Sequence, residues 1–140
     1  MHVLILEDNV HLCRLYTKIL VHHQYGVDAV DTCAKALDRL ARLTPDIVLV
    51  DMELPDGSGA MVIDYMRHEA RFKNTKIIAI TGDEKYQRAG NFRADMFLLK
   101  PVSTTLLYAL LERATKNTDH ITQKTINDLT GYQSRLSPSL

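Results

Sequence analysis

Five side chains that could do chemistry each follow a short apolar run in this 140-residue chain. Glu7 and Asp8 come after the first run, Asp51 after the third, Thr81 after the fourth and Lys100 after the fifth. If the runs are parallel strands, their carboxyl ends share one edge of a sheet, which is where open α/β folds build their sites. We therefore expect three carboxylates, a hydroxyl and an ammonium to come together there.

The three carboxylates predict a metal site. Glu7, Asp8 and Asp51 at one sheet edge repel one another, and without compensation at least one of them would take up a proton. A hard divalent cation with a preference for oxygen relieves this repulsion, and Mg²⁺ fits because it keeps several waters and needs few protein carboxylates. The acidic pair could instead cap a helix N-terminus, but one acid suffices for that, and a cap does not explain Asp51.

The elements that must position these groups follow from the hydrophobic pattern. Five apolar runs alternate with helical patterns, which predicts βαβ units and a parallel sheet. The predicted fold class is α/β, with a doubly wound five-stranded sheet. Only 18 residues separate Thr81 from Lys100, and they must hold a helix and a strand. We therefore expect a short fourth helix near residues 84–91 and a last helix near 103–116.

The bulk composition is that of an ordinary globular protein, with 46% hydrophobic and 24% charged residues. Lys plus Arg number 17 and Asp plus Glu number 17, so no net field favours nucleic acid or an anionic membrane. No apolar run approaches the roughly 18 residues that a membrane span needs. We expect neither nucleic acid nor membrane as a direct partner.

Two features predict a cytoplasmic location. The N-terminus enters a strand at once and leaves no room for a signal peptide. Cys13 and Cys33 fall on the apolar stripes of predicted helices, which favours reduced core cysteines over a disulfide or a metal pair.

The set of strand-end residues resembles the receiver domain of two-component response regulators, the CheY-like superfamily. The resemblance rests on the acidic pair, on Asp51 with Pro55 four residues on and Gly59 eight residues on, on Thr81, and on Lys100 followed by proline. It covers about residues 1–116 and implies a (βα)5 fold with the flavodoxin-like strand order 2-1-3-4-5. Residues 117–140 are rich in Thr, Ser, Asn and Gln and are interpreted as a polar tail or a linker.

The resemblance implies that Asp51 accepts a phosphoryl group from a phosphohistidine of a sensor histidine kinase or phosphotransfer protein. Mg²⁺ would be bound directly by Asp8 and Asp51, partly through water by Glu7, and by the backbone carbonyl of Glu53. The domain would assist its own phosphorylation and dephosphorylation without being an enzyme for another substrate. Its output domain or downstream target would lie outside this chain.

The same resemblance assigns parts to the residues of the fourth and fifth strand ends. Thr81 and Lys100 would each take one phosphoryl oxygen. Gly82 would leave the phosphoryl path open. Asp83 and Glu53 would flank the path of attacking water. Pro101 would form a cis peptide with Lys100.

Phe97, three residues before Lys100, occupies the position of the switch aromatic in the family. Thr81 would move towards the phosphoryl group, Phe97 would turn inward, and the surface of the fourth helix, fifth strand and fifth helix would change. The alternative for Phe97 is an ordinary core residue.

Three other functions compete with this interpretation. A phosphatase of the haloacid dehalogenase type needs a second aspartate two residues after the nucleophile, where this chain has Glu53, and a flavodoxin-like cofactor binder would suffer repulsion between phosphate and the acidic pair. A degenerate receiver used only as a binding module is disfavoured because Asp8, Asp51, Thr81 and Lys100 are all intact.

The last helix departs from the commonest DNA-binding regulators, which carry a glutamate six residues and an arginine ten residues after the lysine. This chain has Leu106 and Leu110 there. Because Leu107 and Leu111 already supply an inward face, we expect Leu106 and Leu110 to widen the apolar band beyond the core-facing stripe. That band would contact a second subunit, as a homodimer through the fifth helix, or the C-terminal tail.

Overall fold

A five-stranded parallel sheet forms the centre of the computed structural model, which describes residues 1–85 and 93–116, with side chains through residue 113. Its strands in chain order are β1 His2–Leu6, β2 Gly26–Val30, β3 Ile47–Asp51, β6 Lys76–Thr81 and β7 Met96–Leu99. The spatial order is β2-β1-β3-β6-β7, with every pair parallel. Since β6 and β7 are the fourth and fifth strands of this sheet, the predicted order 2-1-3-4-5 and the α/β fold class are confirmed.

The described helices are α1 Val10–His22, α2 Cys33–Leu40, α3 Gly59–Arg67 and α4 Thr104–Lys116. A short hairpin, β4 Glu53–Leu54 with β5 Gly57–Ser58, joins β3 to α3, and a 3₁₀ turn spans Ala70–Phe72. The predicted short fourth helix falls mostly on residues 86–92, and the predicted tail on 117–140, which lie outside the described residues. Over the part of the chain that the structure describes, no helix has the length and apolar character to cross a membrane.

Polar side chains begin these helices as their residue types favour. Asn9 accepts the N–H of Leu12 at 3.1 Å, and Thr32 accepts the N–H of Lys35 at 3.1 Å. Such caps satisfy donors that the first helical turn leaves unpaired. They fix where α1 and α2 start, and α1 starts directly after the acidic pair.

Two apolar clusters lie on the two faces of the sheet, as the period-2 alternation of strand side chains requires. On one face Val3 and Ile5 of β1 pack with Tyr16 and Leu20 of α1 and with α4. On the other face the alternate strand residues pack with α2 and α3. Both cysteines are free thiols, with Cys33 buried and Cys13 half-buried.

The prediction of an exposed apolar band on the last helix was wrong. Leu106 and Leu110 are each 2% exposed and belong to the same core cluster as Leu107 and Leu111. The reason is that α4 packs against α1 as well as against the sheet, so its apolar stripe is wide because two neighbours cover it. With both leucines in the domain's own core, the expected homodimer face through them has no basis.

Candidate functional site

The predicted chemical groups gather where the strands end. Asp51 is the last residue of β3 and Thr81 the last of β6, while Glu7 and Lys100 directly follow β1 and β7. Pairing of β3 with β6 sets Asp51 beside Ile80, the residue before Thr81. The parallel sheet therefore brings the four strand ends to one edge, as expected from the sequence.

The three carboxylates form a compact cluster. One oxygen from each of Glu7, Asp8 and Asp51 lies within 4.8 Å of the others. Glu7 and Asp51 are each 3% exposed, whereas Asp8 is exposed at the mouth of the site. Burial, reinforced by the adjacent carboxylate of Asp51, raises the pKa of Glu7 to about 7, although Lys100 opposes the shift. Oxygen donors this close together fit a hard divalent cation, which would relieve the repulsion.

Lys100 bridges two members of this cluster. Its Nζ lies 3.0 Å from Oε1 of Glu7 and 3.2 Å from Oδ2 of Asp51. Burial alone would lower the pKa of Lys100, but its close ion pair with Glu7 and the charges of both acids outweigh burial and raise it. The lysine is therefore held as an ammonium against Asp51. The predicted cis peptide between Lys100 and Pro101 is present.

The carboxylate of Asp51 is oriented from two sides. Its Oδ1 accepts the backbone N–H of Glu53 at 3.0 Å, and its Oδ2 faces the ammonium of Lys100. The backbone of Asp51 also lies against Gly59, the first residue of α3. A Cβ at position 59 would lie only 2.3 Å from the carbonyl oxygen of Asp51, so this close approach requires glycine. That contact accounts for the glycine eight residues after Asp51.

Thr81 is fully buried, and its hydroxyl is engaged on both sides. It donates to Oε1 of Glu53 at 3.0 Å and accepts the backbone N–H of Asp83 at 3.0 Å. Beside it, Gly82 faces open space, because a Cβ there would meet nothing within 4 Å. Glu53 thus contacts Asp51 through its backbone N–H and Thr81 through its side chain. From the sequence, the backbone carbonyl of Glu53 was expected to bind Mg²⁺, and its position was expected to flank the path of attacking water. The hydrogen bond between its side chain and Thr81 was not predicted.

Phe97 is half-buried and packs against the apolar cluster on the α2 and α3 face. Its neighbour Leu98 belongs to the cluster on the α1 and α4 face. The predicted switch aromatic therefore lies on the opposite face of the sheet from that leucine, and its part in switching stays a prediction.

A second contact that the sequence did not reveal ties the hairpin to α2. The carboxylate of Asp56 accepts the N–H of Cys33 at 2.9 Å and that of Ala34 at 3.1 Å. These backbone hydrogen bonds lower the pKa of Asp56. The segment Pro55-Asp56-Gly57 resembles an ordinary turn, and nothing local marks its distant partner.

Residues 3–112 match the family described as the response regulator receiver domain. The chain belongs to this family. Receiver domains are generally signalling domains without enzymatic activity of their own, and they interact with histidine kinases or phosphotransfer proteins.

Individual relatives of this receiver domain agree with the assignment. The polar-differentiation response regulator DivK of Brucella ovis is 29% identical over 106 residues, covering 72% of this chain and 85% of DivK. A CheY-like receiver domain from Methylobacillus flagellatus superposes with a TM-score of 0.72 at 25% identity, covering 81% of this chain and 98% of that one.

A third relative is the receiver domain of a sensor histidine kinase from Pseudomonas aeruginosa PAO1, whose structure has a magnesium ion coordinated in the active-site cleft. It has a TM-score of 0.75 and 24% identity, with 83% and 98% of the two chains covered. At that identity the likeness concerns the fold.

Proposed function

We propose that this receiver domain accepts a phosphoryl group on Asp51 from a phosphohistidine of a sensor histidine kinase or phosphotransfer protein. The observation that carries the proposal is the position of the Asp51 carboxylate, which belongs to the acidic cluster with Glu7 and Asp8 and lies 3.2 Å from the ammonium of Lys100. A carboxylate that attacks a dianionic phosphoryl group needs an adjacent cation, which offsets the repulsion between the two anions.

The transfer would form a bond between a carboxylate oxygen of Asp51 and phosphorus and break the bond between phosphorus and the donor's imidazole nitrogen, which takes a proton from solvent. As the carboxylate of Asp51 loses its charge on bonding to phosphorus, Lys100 would pair instead with an oxygen of the phosphoryl group, which is already negative. The hydroxyl of Thr81 would donate to another oxygen after leaving its present acceptor. Catalysis in such transfers is mostly positioning and charge neutralisation.

A divalent cation belongs to this proposal. Asp8 and Asp51 would hold Mg²⁺ directly, with Glu7 acting partly through water and the backbone carbonyl of Glu53 as a further oxygen ligand. Bound there, the cation would neutralise charge on the phosphoryl oxygens. The raised pKa of Glu7 supports this assignment, because burial disfavours its charged form and a bound cation would stabilise that form.

The output would be a change of surface. Movement of Thr81 towards the phosphoryl group would let Phe97 turn inward and alter the surface around β7 and α4, for a downstream domain or protein outside this chain. The proposal places the domain in the cytoplasm, in line with its two free thiols. It divides the chain into a receiver domain at 1–116 and a tail or linker at 117–140.

The experiment is intact-mass measurement after incubation with acetyl phosphate, with and without Mg²⁺. Wild-type protein should gain one phosphoryl group only when Mg²⁺ is present, and Asp51→Asn should gain none. Asp64→Asn is the matched control, since Asp64 is an exposed aspartate on α3. An unchanged gain in Asp51→Asn would overturn the proposed acceptor, and no gain in any variant would favour a degenerate receiver that only binds partners.

A further inference from the structure

The hydroxyl of Thr81 is hydrogen-bonded in the structure to the side chain of Glu53, two residues after Asp51. It donates its proton to Oε1 of Glu53 at 3.0 Å, while its oxygen accepts the N–H of Asp83 at 3.0 Å. A threonine hydroxyl has one proton to donate. As long as that proton goes to Glu53, it is not available to a phosphoryl oxygen on Asp51.

Glu53 is well placed to hold Thr81 in this position. It lies in the short hairpin two residues after Asp51, and its backbone N–H donates to Asp51 at 3.0 Å. The backbone of Glu53 is thereby fixed to the acceptor residue, and its carboxylate reaches the buried Thr81 across 28 positions of sequence. A hydrogen bond to an ionised carboxylate is stronger than one between neutral groups.

We infer that Glu53 is a positioning residue that holds Thr81 in its resting place and so opposes phosphorylation of Asp51. The inference rests on the proposed function. Removing the carboxylate of Glu53 frees the hydroxyl, shifts the population towards the arrangement with Thr81 at the phosphoryl site, and favours the phosphorylated state. Glu53 acts through Thr81, and this separates it from a residue that merely repels incoming phosphoryl oxygens.

The test is a double-mutant cycle on the initial rate of phosphorylation by acetyl phosphate with Mg²⁺. Glu53→Ala removes the acceptor, and we expect it to raise the rate by about tenfold, the size expected of one hydrogen bond to a charged group. Glu53→Gln keeps an acceptor oxygen without the charge and should raise the rate less. In Thr81→Val, which lacks the hydroxyl, adding Glu53→Ala should change nothing.

Equal acceleration by Glu53→Ala in both backgrounds would overturn the inference, because Glu53 would then act on the phosphoryl group by charge alone. An unchanged rate in Glu53→Ala alone would overturn it as well. Either failure would leave Asp51 as the acceptor, provided that wild-type protein still gains one phosphoryl group that Asp51→Asn lacks.

A measurement without any phosphoryl donor gives a second readout. In unphosphorylated Glu53→Ala, the NMR signals of the Thr81 methyl and the Asp83 amide should shift towards those of wild-type protein loaded with Mg²⁺ and beryllofluoride. Glu53 is exposed, so this variant should fold. Signals that stay at their wild-type resting positions would show that Glu53 does not hold Thr81.

Discussion

Replacing Gly59 with alanine should move the acceptor residue without touching its side chain. The new methyl carbon would lie 2.3 Å from the carbonyl oxygen of Asp51 and 2.6 Å from Cγ1 of Val50, where ordinary contacts begin at 3.4 Å. The β3 backbone and α3 must therefore separate by roughly 1 Å, in the range where misplacement of a reacting group costs ~100-fold in rate.

The stability effect is the difference of two opposing terms. Overpacking of this kind costs about 1–3 kcal/mol, whereas alanine gains at most about 1 kcal/mol over glycine in a helix. Overpacking wins, because the clash is with backbone rather than with the end of a flexible side chain. We expect Gly59→Ala to lose about 1–2 kcal/mol of unfolding free energy.

Urea denaturation and the initial rate of acetyl phosphate labelling measure the two effects. Gly82→Ala is the matched control, because a Cβ at position 82 meets nothing within 4 Å, and its unfolding free energy should stay within about 0.5 kcal/mol of wild type. If Gly59→Ala kept both wild-type stability and wild-type labelling rate, the close approach of α3 to Asp51 would not control the site.

Three further predictions concern pH, the hairpin and the last helix. As the pH rises from about 4.5 to about 7, the free energy of unfolding of the metal-free protein should fall by up to about 3 kcal/mol relative to that of Glu7→Gln. The folded state raises the pKa of Glu7 from 4.5 to about 7, mainly by burial, and so binds that proton more tightly than the unfolded chain; a difference between the two urea midpoints that stays constant across this range would contradict the reasoning. Asp56→Asn should lower the urea midpoint at neutral pH and lower it less at acid pH. The carboxylate that accepts the N–H of Cys33 has a lowered pKa, so it loses its stabilising charge as the pH falls through that pKa. Midpoints of the two proteins that change in parallel with pH would refute this. Leu106→Glu should lower the free energy of unfolding by at least about 3 kcal/mol, because it buries a carboxylate in the core. Leu15→Glu, at a leucine that is 40% exposed, should be tolerated. Similar thermal melts for both variants would show that the Leu106 site is open to solvent.

The clustering of the strand-end residues could be predicted from the sequence, because a parallel sheet places the carboxyl ends of its strands at one edge. Once the runs before Glu7, Asp51, Thr81 and Lys100 are recognised as parallel strands, their ends must share an edge, whatever the loops do. The wrong prediction for Leu106 has an equally physical origin. Hydrophobic spacing gives the direction of an apolar stripe, but its width depends on how many neighbours cover the helix, and here α1 covers the second flank.

The contacts that the sequence did not reveal are all made between distant segments by polar side chains. Glu53 reaches Thr81 across 28 positions, and Asp56 reaches Cys33 across 23. Each depends on where the hairpin after β3 places a flexible carboxylate, and neither has a local pattern such as the capping spacing between Thr32 and Lys35. The hydrogen-bond partners of these two hairpin side chains could therefore be identified only from the structure.

The central claim is that Asp51 is the residue that carries the phosphoryl group, and chemical trapping tests it most directly. Protein labelled with acetyl phosphate and Mg²⁺ is treated with borohydride, which reduces an aspartyl phosphate to homoserine, and the peptides are sequenced by mass spectrometry. Homoserine should appear at position 51 and at no other aspartate. Homoserine at Asp8 or at another position, with residue 51 recovered as unmodified aspartate, would contradict the assignment.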